Sequence, residues 1–327
     1  MKKKVLICGA TGFIGRNLIE YFQNCLDEYE VWGTYHRQAP PETEPFKRQC
    51  RWVEADLTVA EDVTKVIQGK DVVIQAAATT SGANEIIHKP YHHVRDNAVM
   101  NSLIFRACHD FEIKQVVFFS CTIMYPQGTK PAREDDFTGE IIDKYFGAGW
   151  TKVYAEKMCE FYSRLGKTKY TVIRHSNIYG PHDKFDLERS HVFGATIAKV
   201  MAAPEGGRIV VWGDGRDERD FLYVDDLTEF VVNILQLQTK PFELVNLGCG
   251  CSVSVRDLAE KIIQISGRKM SIEFDESKPS IGFKLVINVE RVKRLYQWTA
   301  RVPLEEGIEK TIRWYRSYVC PTIPRTN

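Results

Sequence analysis

Gly9, Gly12 and Gly15, with Thr11 between them, follow an apolar run at residues 5–8 and open a stretch in which Ile14, Leu18 and Phe22 recur at helical spacing. The chemistry this spacing serves is dinucleotide binding. One glycine lets the chain turn sharply, one lets a phosphate approach the backbone, and one lets the helix pack closely on its strand. A pyrophosphate would rest where the helix opens at Phe13 and Ile14, because unpaired N–H groups and the dipole at a helix N-terminus favour an anion. A glycine-rich turn alone binds nothing. The strand before it, the helix after it and the alternation of strands and helices behind it make this one a cofactor cradle.

The residue at the end of the second strand reads the adenosine ribose: an acid accepts the 2′-hydroxyl, whereas a cation takes a 2′-phosphate. The chain has Thr34-Tyr35-His36-Arg37 there, with no acid. His36 and Arg37 therefore favour NADP(H) over NAD(H), since a guanidinium pairs with phosphate through two parallel hydrogen bonds. Asp56 and Leu57, after the third strand, are placed to meet the adenine. Ala76, Ala77 and Ala78 supply small side chains where the sheet edge must let the cofactor lie close.

These residues need a parallel sheet to position them. Strands are expected at residues 5–8, 30–34, 52–56, 71–76, 115–120, 171–175 and 244–247, with helical patterns between them and an exposed, proline-rich loop at 38–45. Strand alternating with helix implies an α/β fold, a doubly wound parallel Rossmann sheet. Helices at 192–202, 256–266 and 304–318 and an extended piece near 270–274 fall outside that alternation and imply a smaller, interleaved α/β domain that binds substrate. The expected division is a dinucleotide-binding domain over 1–178, rejoined by about 217–248, and a substrate domain over 179–216 and 249–327.

A chain of 327 residues can bury a sizeable core without staples. Its nine cysteines are an odd number, scattered, with no CxxC pair, and Cys249-Gly250-Cys251 is too tight for a zinc knuckle. Reduced thiols in a cytoplasmic protein, with no metal, are the expectation. Met1-Lys2-Lys3-Lys4 and the apolar run after it imitate a signal peptide, but the run breaks at once into the glycine turn and reads as a strand. No stretch is long enough to span a membrane. A net charge of +1 with both signs interspersed points to neither nucleic acid nor anionic lipid.

Further motifs carry a resemblance over nearly the whole chain. They are Arg174-His175-Ser176-Asn177-Ile178-Tyr179-Gly180-Pro181-His182-Asp183, Ser190-His191-Val192, Val211-Trp212-Gly213, Arg219-Asp220-Phe221-Leu222-Tyr223-Val224-Asp225-Asp226 and Ser277-Lys278-Pro279. With the glycine turn, they resemble the extended short-chain dehydrogenases/reductases of the nucleotide-sugar epimerase/dehydratase branch, and within it the GDP-L-fucose synthases. The resemblance implies a nucleotide-diphospho-sugar as partner, with Arg219 on the diphosphate, Trp212 at the base, Val192 in the nucleotide pocket, and Asn177 and Lys284 on the substrate. It implies cofactor contacts from Asn97, Lys152 and His191, proton exchange by His191, and a homodimer through helices at 97–109 and 152–164.

The same resemblance exposes a gap. The family uses Tyr-x-x-x-Lys on one helix, a spacing that stacks both side chains on one face so that the ammonium lowers the phenol's pKa. Lys152 takes the lysine place, and Ala148 stands where the tyrosine belongs. The Ser/Thr that would bond the reacting hydroxyl is Cys121, and the cysteine acid of the fucose synthases is Ile123; the acidic pair of the dehydratases would fall on Thr122 and Ile123. Three explanations stand open. Another group supplies the proton, with Tyr145, Cys121 and Thr122 as candidates, although Gly147 and Gly149 argue for a loop beside Tyr145. Alternatively the reaction differs, or the protein binds cofactor and nucleotide sugar without turning them over.

Overall fold

Short runs of Val, Ile and Phe with no polar alternation must be covered on both faces, and a parallel sheet between two helical layers does this. The computed structural model describes residues 1–43, 46–79, 90–126, 128, 130–187, 190–278 and 284–319. Its central sheet joins β1 (Lys3–Cys8), β2 (Tyr29–Tyr35), β3 (Cys50–Glu54), β4 (Val72–Gln75), β5 (Gln115–Ser120), β6 (Lys169–His175) and β11 (Phe242–Leu247). The spatial order is β11-β6-β5-β4-β1-β2-β3, all parallel. The order reverses between β1 and β4, so the carboxyl ends of those two strands, where Gly9 and Ala76 follow, flank the crevice in which such sheets bind ligands.

One face is covered by α1 (Phe13–Phe22) and α7 (Val224–Leu237), which share a core with Val5, Ile7, Val31 and Ile74. On the other face α3 (Ala60–Ile67), α4 (Pro90–Asp110) and α5 (Phe146–Arg164) pack on Leu6, Val73, Val116 and Phe118. A short α2 (Phe46–Gln49) precedes β3. A separate apolar cluster gathers α6 (Val192–Ala202), α8 (Val255–Ser266) and α10 (Leu304–Tyr318) around Tyr179, Phe193 and Phe221. Small two-stranded pairings tie these parts together: β7 (Asn177–Tyr179) with β10 (Phe221–Tyr223), β8 (Arg208–Trp212) with β13 (Ser271–Asp275), and β9 (Glu218–Arg219) with β12 (Val253–Ser254). Helix α9 (Glu290–Tyr296) lies against β11. Among the described residues no helix is long and apolar enough to cross a membrane.

Two sequence expectations are corrected. The third strand is Cys50–Glu54, so Asp56 lies two residues beyond it in the crevice. The helix carrying Lys152 starts at Phe146 and runs straight through Gly147 and Gly149, where a loop was expected. Close packing explains this: a Cβ on Gly147 would lie 2.7 Å from Val94, and one on Gly149 would lie 2.8 Å from Ile141. The glycines are contact points, and the low helix propensity they bring is outweighed by tertiary packing. Residues 44–45, in the expected loop, and Pro279 lie outside the described residues, as do 320–327 of the expected substrate domain.

A buried polar network clamps α5 to the ends of β5 and β6. Arg174 forks onto Glu156 through Nε and Nη2 at 2.9 and 2.6 Å, and both side chains are about 5% exposed or less. Ser120 donates to the same carboxylate, and Arg174 Nη1 donates to Tyr125 and to the Glu134 carbonyl. Burial alone would lower the guanidinium's pKa, but Glu156 holds it above its usual value. Removing the charge from one partner leaves the other buried and unpaired, at a cost of about 3–5 kcal/mol. Glu156→Gln is therefore expected to destabilise the fold by about 3 kcal/mol or more in urea unfolding; a loss below about 1 kcal/mol would show that water reaches Arg174 and that the pair is not what holds the helix.

Candidate active site

The glycine turn is built so that no side chain fits. Gly9 has φ +72°, a conformation costly for residues with a Cβ, and a Cβ there would sit 2.6 Å from the Ala77 Cα. A Cβ on Gly15 would lie 2.4 Å from the Gly9 carbonyl, so only glycine lets α1 pack against the turn. Thr34, at the end of β2, holds the turn by accepting from Gly9 N and Ala10 N at 2.9 and 3.0 Å. Gly12 begins α1 with no side-chain cap and no acid in the first turn, which leaves its N–H groups for an anion. Phe13 forms the first turn, and Ile14 packs into the core beside it.

From this turn a cleft of about 830 Å³ opens over the carboxyl ends of β1, β2 and β4. Its walls include Gly9, Thr11 and Gly12, then His36 and Arg37, then Asp56 and Leu57, and finally Ala76, Ala77 and Ala78. The Asp56 carboxylate accepts from Thr58 Oγ1 and N at 2.7 and 2.9 Å, bonds that hold it below the usual carboxylate range, and His36 Nε2 lies 3.8 Å away. Asn97 stands behind the wall: its amide is committed to Thr79 N, Thr79 O and His93 O, so it shapes the cleft through the main chain. The absence of room for a Cβ, the uncapped helix and the long cleft fit a dinucleotide.

Beyond the cradle, the ends of β5 and β6 bring several titratable groups together. Lys152 Nζ donates to the Phe119 carbonyl at 2.7 Å and lies 4.9 Å from the Phe118 ring. Burial lowers its pKa, while Cys121 and Glu156 raise it again. Cys121 is raised by burial, against the pull of Lys152 and the Ile123 N–H. Thr122 follows it, half-buried, and its carbonyl accepts from Tyr125 N. Tyr145 closes a 3-10 turn (Asp143–Tyr145) and is the N-cap of α5, seven residues before Lys152, with only 9% of its surface exposed. Burial raises its phenol; the Arg219 guanidinium lowers it, and Asp217 and Cys121 raise it further. The phenol thus lies within electrostatic reach of one residue expected to touch the diphosphate and one expected at the reacting hydroxyl.

The expected substrate residues fall into two groups. Asn177 donates to the Asp220 carbonyl from its backbone and side chain, beside Arg219, whose Nη2 pairs with Asp217 at 3.0 Å. Lys284 pairs with Glu218 at 2.5 Å on the other side of β9. Val192 and Trp212 belong to the second group: Val192 opens α6 directly after His191, and Trp212 is exposed at the end of β8, its ring 6.0 Å from Lys199 Nζ. His191 is the N-cap of α6 and exposed at its surface; the protein around it partly desolvates the ring and lowers its pKa, with Lys184 adding to the effect.

One residue of this site carried no assigned role in the sequence. His175 ends β6, its Nδ1 lies 2.7 Å from the Ser176 carbonyl, and its ring packs edge-on against Phe119, the residue whose carbonyl holds Lys152. Burial lowers its pKa to about 4, with smaller contributions from Lys152 and His191. Its only sequence signal was its place inside the strand-end motif.

The unfolded chain binds a proton at this imidazole from its ordinary value of 6.5 downward, but the folded chain binds one only near 4. His175 therefore makes the fold lose stability as the pH falls through that window, by about 2 kcal/mol between pH 7 and pH 5. Asp183 has the opposite sign, because burial raises its carboxyl to about 7 and acidification relieves that cost. A His175→Asn variant keeps Asp183, so the difference between the two proteins isolates the imidazole. The variant is expected to lose about 2 kcal/mol less than the parent over that range in urea unfolding, and parallel profiles would refute a neutral, part-buried His175.

With this geometry in view, the chain can be set beside known proteins. It is 27% identical over 319 residues to GDP-L-colitose synthase of Yersinia pseudotuberculosis, covering 95% of this chain and 97% of that one. It is 29% identical over 257 residues to GDP-L-fucose synthase of Escherichia coli K12, covering 75% and 80%. Its fold superposes on UDP-glucose 4-epimerase of Thermotoga maritima, solved with UDP-glucose, with a TM-score of 0.84 at 22% identity over 97% of this chain and 99% of that one. Residues 5–248 match the model of the NAD dependent epimerase/dehydratase family. That span runs from the first strand of the cradle to the last strand of the sheet, and the chain belongs to this family of NAD(P)-dependent, nucleotide-sugar epimerases and reductases.

Proposed function

We propose that the protein is an NADP(H)-dependent oxidoreductase and epimerase of a GDP-linked keto-deoxysugar, with Tyr145 as its proton donor. The observation that carries this reading is the buried Tyr145 phenol, within electrostatic reach of Cys121 and Arg219 and at the N-cap of the helix that bears Lys152. The GDP-sugar synthases among its relatives support the substrate class. His36 and Arg37 in the cleft wall, in a Thr34–Arg37 segment that itself carries no acid, support NADP(H). The division into a dinucleotide-binding and a substrate domain is part of the same reading, supported by the separate apolar cluster around Tyr179.

Gly9, Thr11, Gly12 and the opening of α1 would hold the pyrophosphate, Arg37 the ribose phosphate, and Lys152 the nicotinamide ribose. When bound, the nicotinamide supplies the hydride. Arg219 holds the substrate diphosphate and so fixes the sugar relative to Tyr145. The phenol gives its proton to the sugar 4-oxygen, and its burial favours that direction, because a raised pKa keeps it protonated until a stronger base forms beside it. Neutral His191 is able to take a proton from the carbon next to the ketone, which is what epimerisation requires. Cys121 and Thr122 line the approach to the reacting oxygen.

The test is incubation with GDP-4-keto-6-deoxymannose and NADPH in deuterated water, following cofactor absorbance and the mass of the recovered sugar nucleotide. A reduced sugar with solvent deuterium on carbon is expected. Tyr145→Phe should lower kcat by about 10²-fold or more with little change in KM. Full turnover in that variant removes Tyr145 from the reaction; binding of both ligands with no turnover in the parent removes this reaction altogether.

The same reading includes a homodimer. Trp150, Tyr154, Phe161 and Leu165 form an exposed apolar stripe along α5, and Tyr91 and Val99 continue it on α4, which packs beside it. A stripe of this kind on a soluble chain marks an interface, and two copies meeting there would build a four-helix contact. Light scattering is expected to give a dimer mass for the parent and a monomer mass for Tyr154→Glu; a monomeric parent would refute the interface.

A further inference from the structure

Cys249 and Cys251 stand apart from the cysteines of the core. Cys8, Cys50, Cys108 and Cys159 are buried, whereas Cys249 is half-exposed and Cys251 exposed. Gly250 between them has φ +75°, a left-handed bend that folds the two side chains toward each other, and Cys249 Sγ lies 3.3 Å from the Cys251 carbonyl. Two Cα steps of about 3.8 Å, bent this way, bring the pair within the span that a disulfide bridges. The loop is also tied to the substrate side. The Cys249 and Gly250 N–H groups both donate to the Asp220 carboxylate at 2.9 Å, and two residues later Val253 pairs with Arg219.

We propose that Cys249 and Cys251 form a reversible disulfide that weakens nucleotide binding by disturbing the Asp220 and Arg219 anchors. The oxidant is a low-molecular-weight disulfide such as oxidised glutathione. The Cys251 thiolate attacks one glutathione sulfur, the glutathione disulfide breaks, and one glutathione leaves. Cys249, losing its proton, then attacks the Cys251 sulfur of the mixed disulfide and expels the second glutathione. The protein gives up two electrons and two protons, and two reduced glutathione molecules carry them away. The exposed thiol is the better attacker: contact with the Cys249 thiol draws Cys251 down to about 7, while Cys249 is pushed up.

A disulfide across a single residue is strained, and strained disulfides are readily reduced, so the bond would follow the redox state of its surroundings. Forming it changes the dihedral angles of 249–251 and so moves the two N–H groups that satisfy the buried Asp220. That carboxylate already sits above its usual range because of burial, with these bonds opposing the rise. Losing them displaces β9, and with it Arg219. The effect on nucleotide binding rests on the proposed role of Arg219, whereas bond formation does not.

The experiment treats the reduced protein with oxidised glutathione, counts free thiols, maps alkylated peptides by mass and measures GDP binding by calorimetry. The expected result is loss of two thiols per chain, a peptide containing 249–251 that is about 2 Da lighter and resists alkylation, and GDP affinity about tenfold weaker, restored by dithiothreitol. Cys251→Ser should abolish the thiol loss and keep the reduced protein's affinity after treatment, whereas Cys249→Ser should stop at a glutathione adduct on Cys251 and give no lighter peptide. In the parent, a stable glutathione adduct, a bond to another cysteine or no loss of thiols overturns the disulfide. A disulfide that leaves GDP affinity unchanged overturns the switch. If GDP fails to bind even the reduced protein, the nucleotide reading fails while the mapping still decides the disulfide.

Discussion

Everything at the far end of the cleft hangs from the Arg174–Glu156 pair. Arg174 is the penultimate residue of β6 and Glu156 lies one turn after Lys152 on α5, so this ion pair sets the height and rotation of the helix against the sheet. Ser120 joins at the end of β5, and Tyr125 carries the network on to Asn246 in β11 at 2.6 Å. A well-packed apolar cluster could match its stability, since a buried ion pair spends most of its attraction on desolvation. What apolar packing lacks is direction. The planar fork fixes one orientation, and that orientation carries Lys152 to the Phe119 carbonyl and Tyr145 to the level of Cys121 and Arg219.

That placement puts the titratable groups of the candidate site where desolvation opposes charge. Lys152 and the two imidazoles are lowered, and Cys121 and Tyr145 are raised, in each case chiefly by desolvation. A family tyrosine four residues before its lysine would be activated by a nearby ammonium. Tyr145 is a further turn away, and the cation acting on it is Arg219. Under the proposed role of Tyr145, the electrostatic partner moves from the cofactor side to the substrate side, and the phenol's acidity becomes linked to the diphosphate that Arg219 would neutralise.

Periodicity and turn chemistry made most of the scaffold readable. The β5, α6 and α10 ranges follow from apolar spacing alone, because strong patterns of that length leave one element type open. β3 slid by two residues, since an edge strand takes its limits from its ladder: Cys50 pairs with Val31 of β2, a partner that local pattern does not reveal. The start of α5 was misread for a similar reason. Glycine's propensity argued for a loop, while Val94 and Ile141 require close approach there, and those contacts come from distant parts of the chain. His175 carried no role because its meaning depends on Phe119, Lys152 and His191, which converge only in the fold.

The two halves of the site are also referenced to each other. Asn17, on the buried side of α1, donates to both Phe13 O and Pro181 O at 2.9 Å, and Glu20 on the same helix accepts from His182 Nε2 at 2.8 Å. His182 holds φ +65°, a left-handed conformation that costs a non-glycine residue about 1–2 kcal/mol. It keeps that conformation because its ring is fixed by Glu20, by the edge of Phe46 and by Trp314 of α10. Helix α1, which follows the glycine turn, is thereby bonded to the Pro181–His182 segment. These few contacts, and not the length of chain between them, fix α1 relative to Pro181 and His182. A shift of α1 would strain His182 first, which makes the order of the glycine turn and the order of the Pro181–His182 segment one property of the fold.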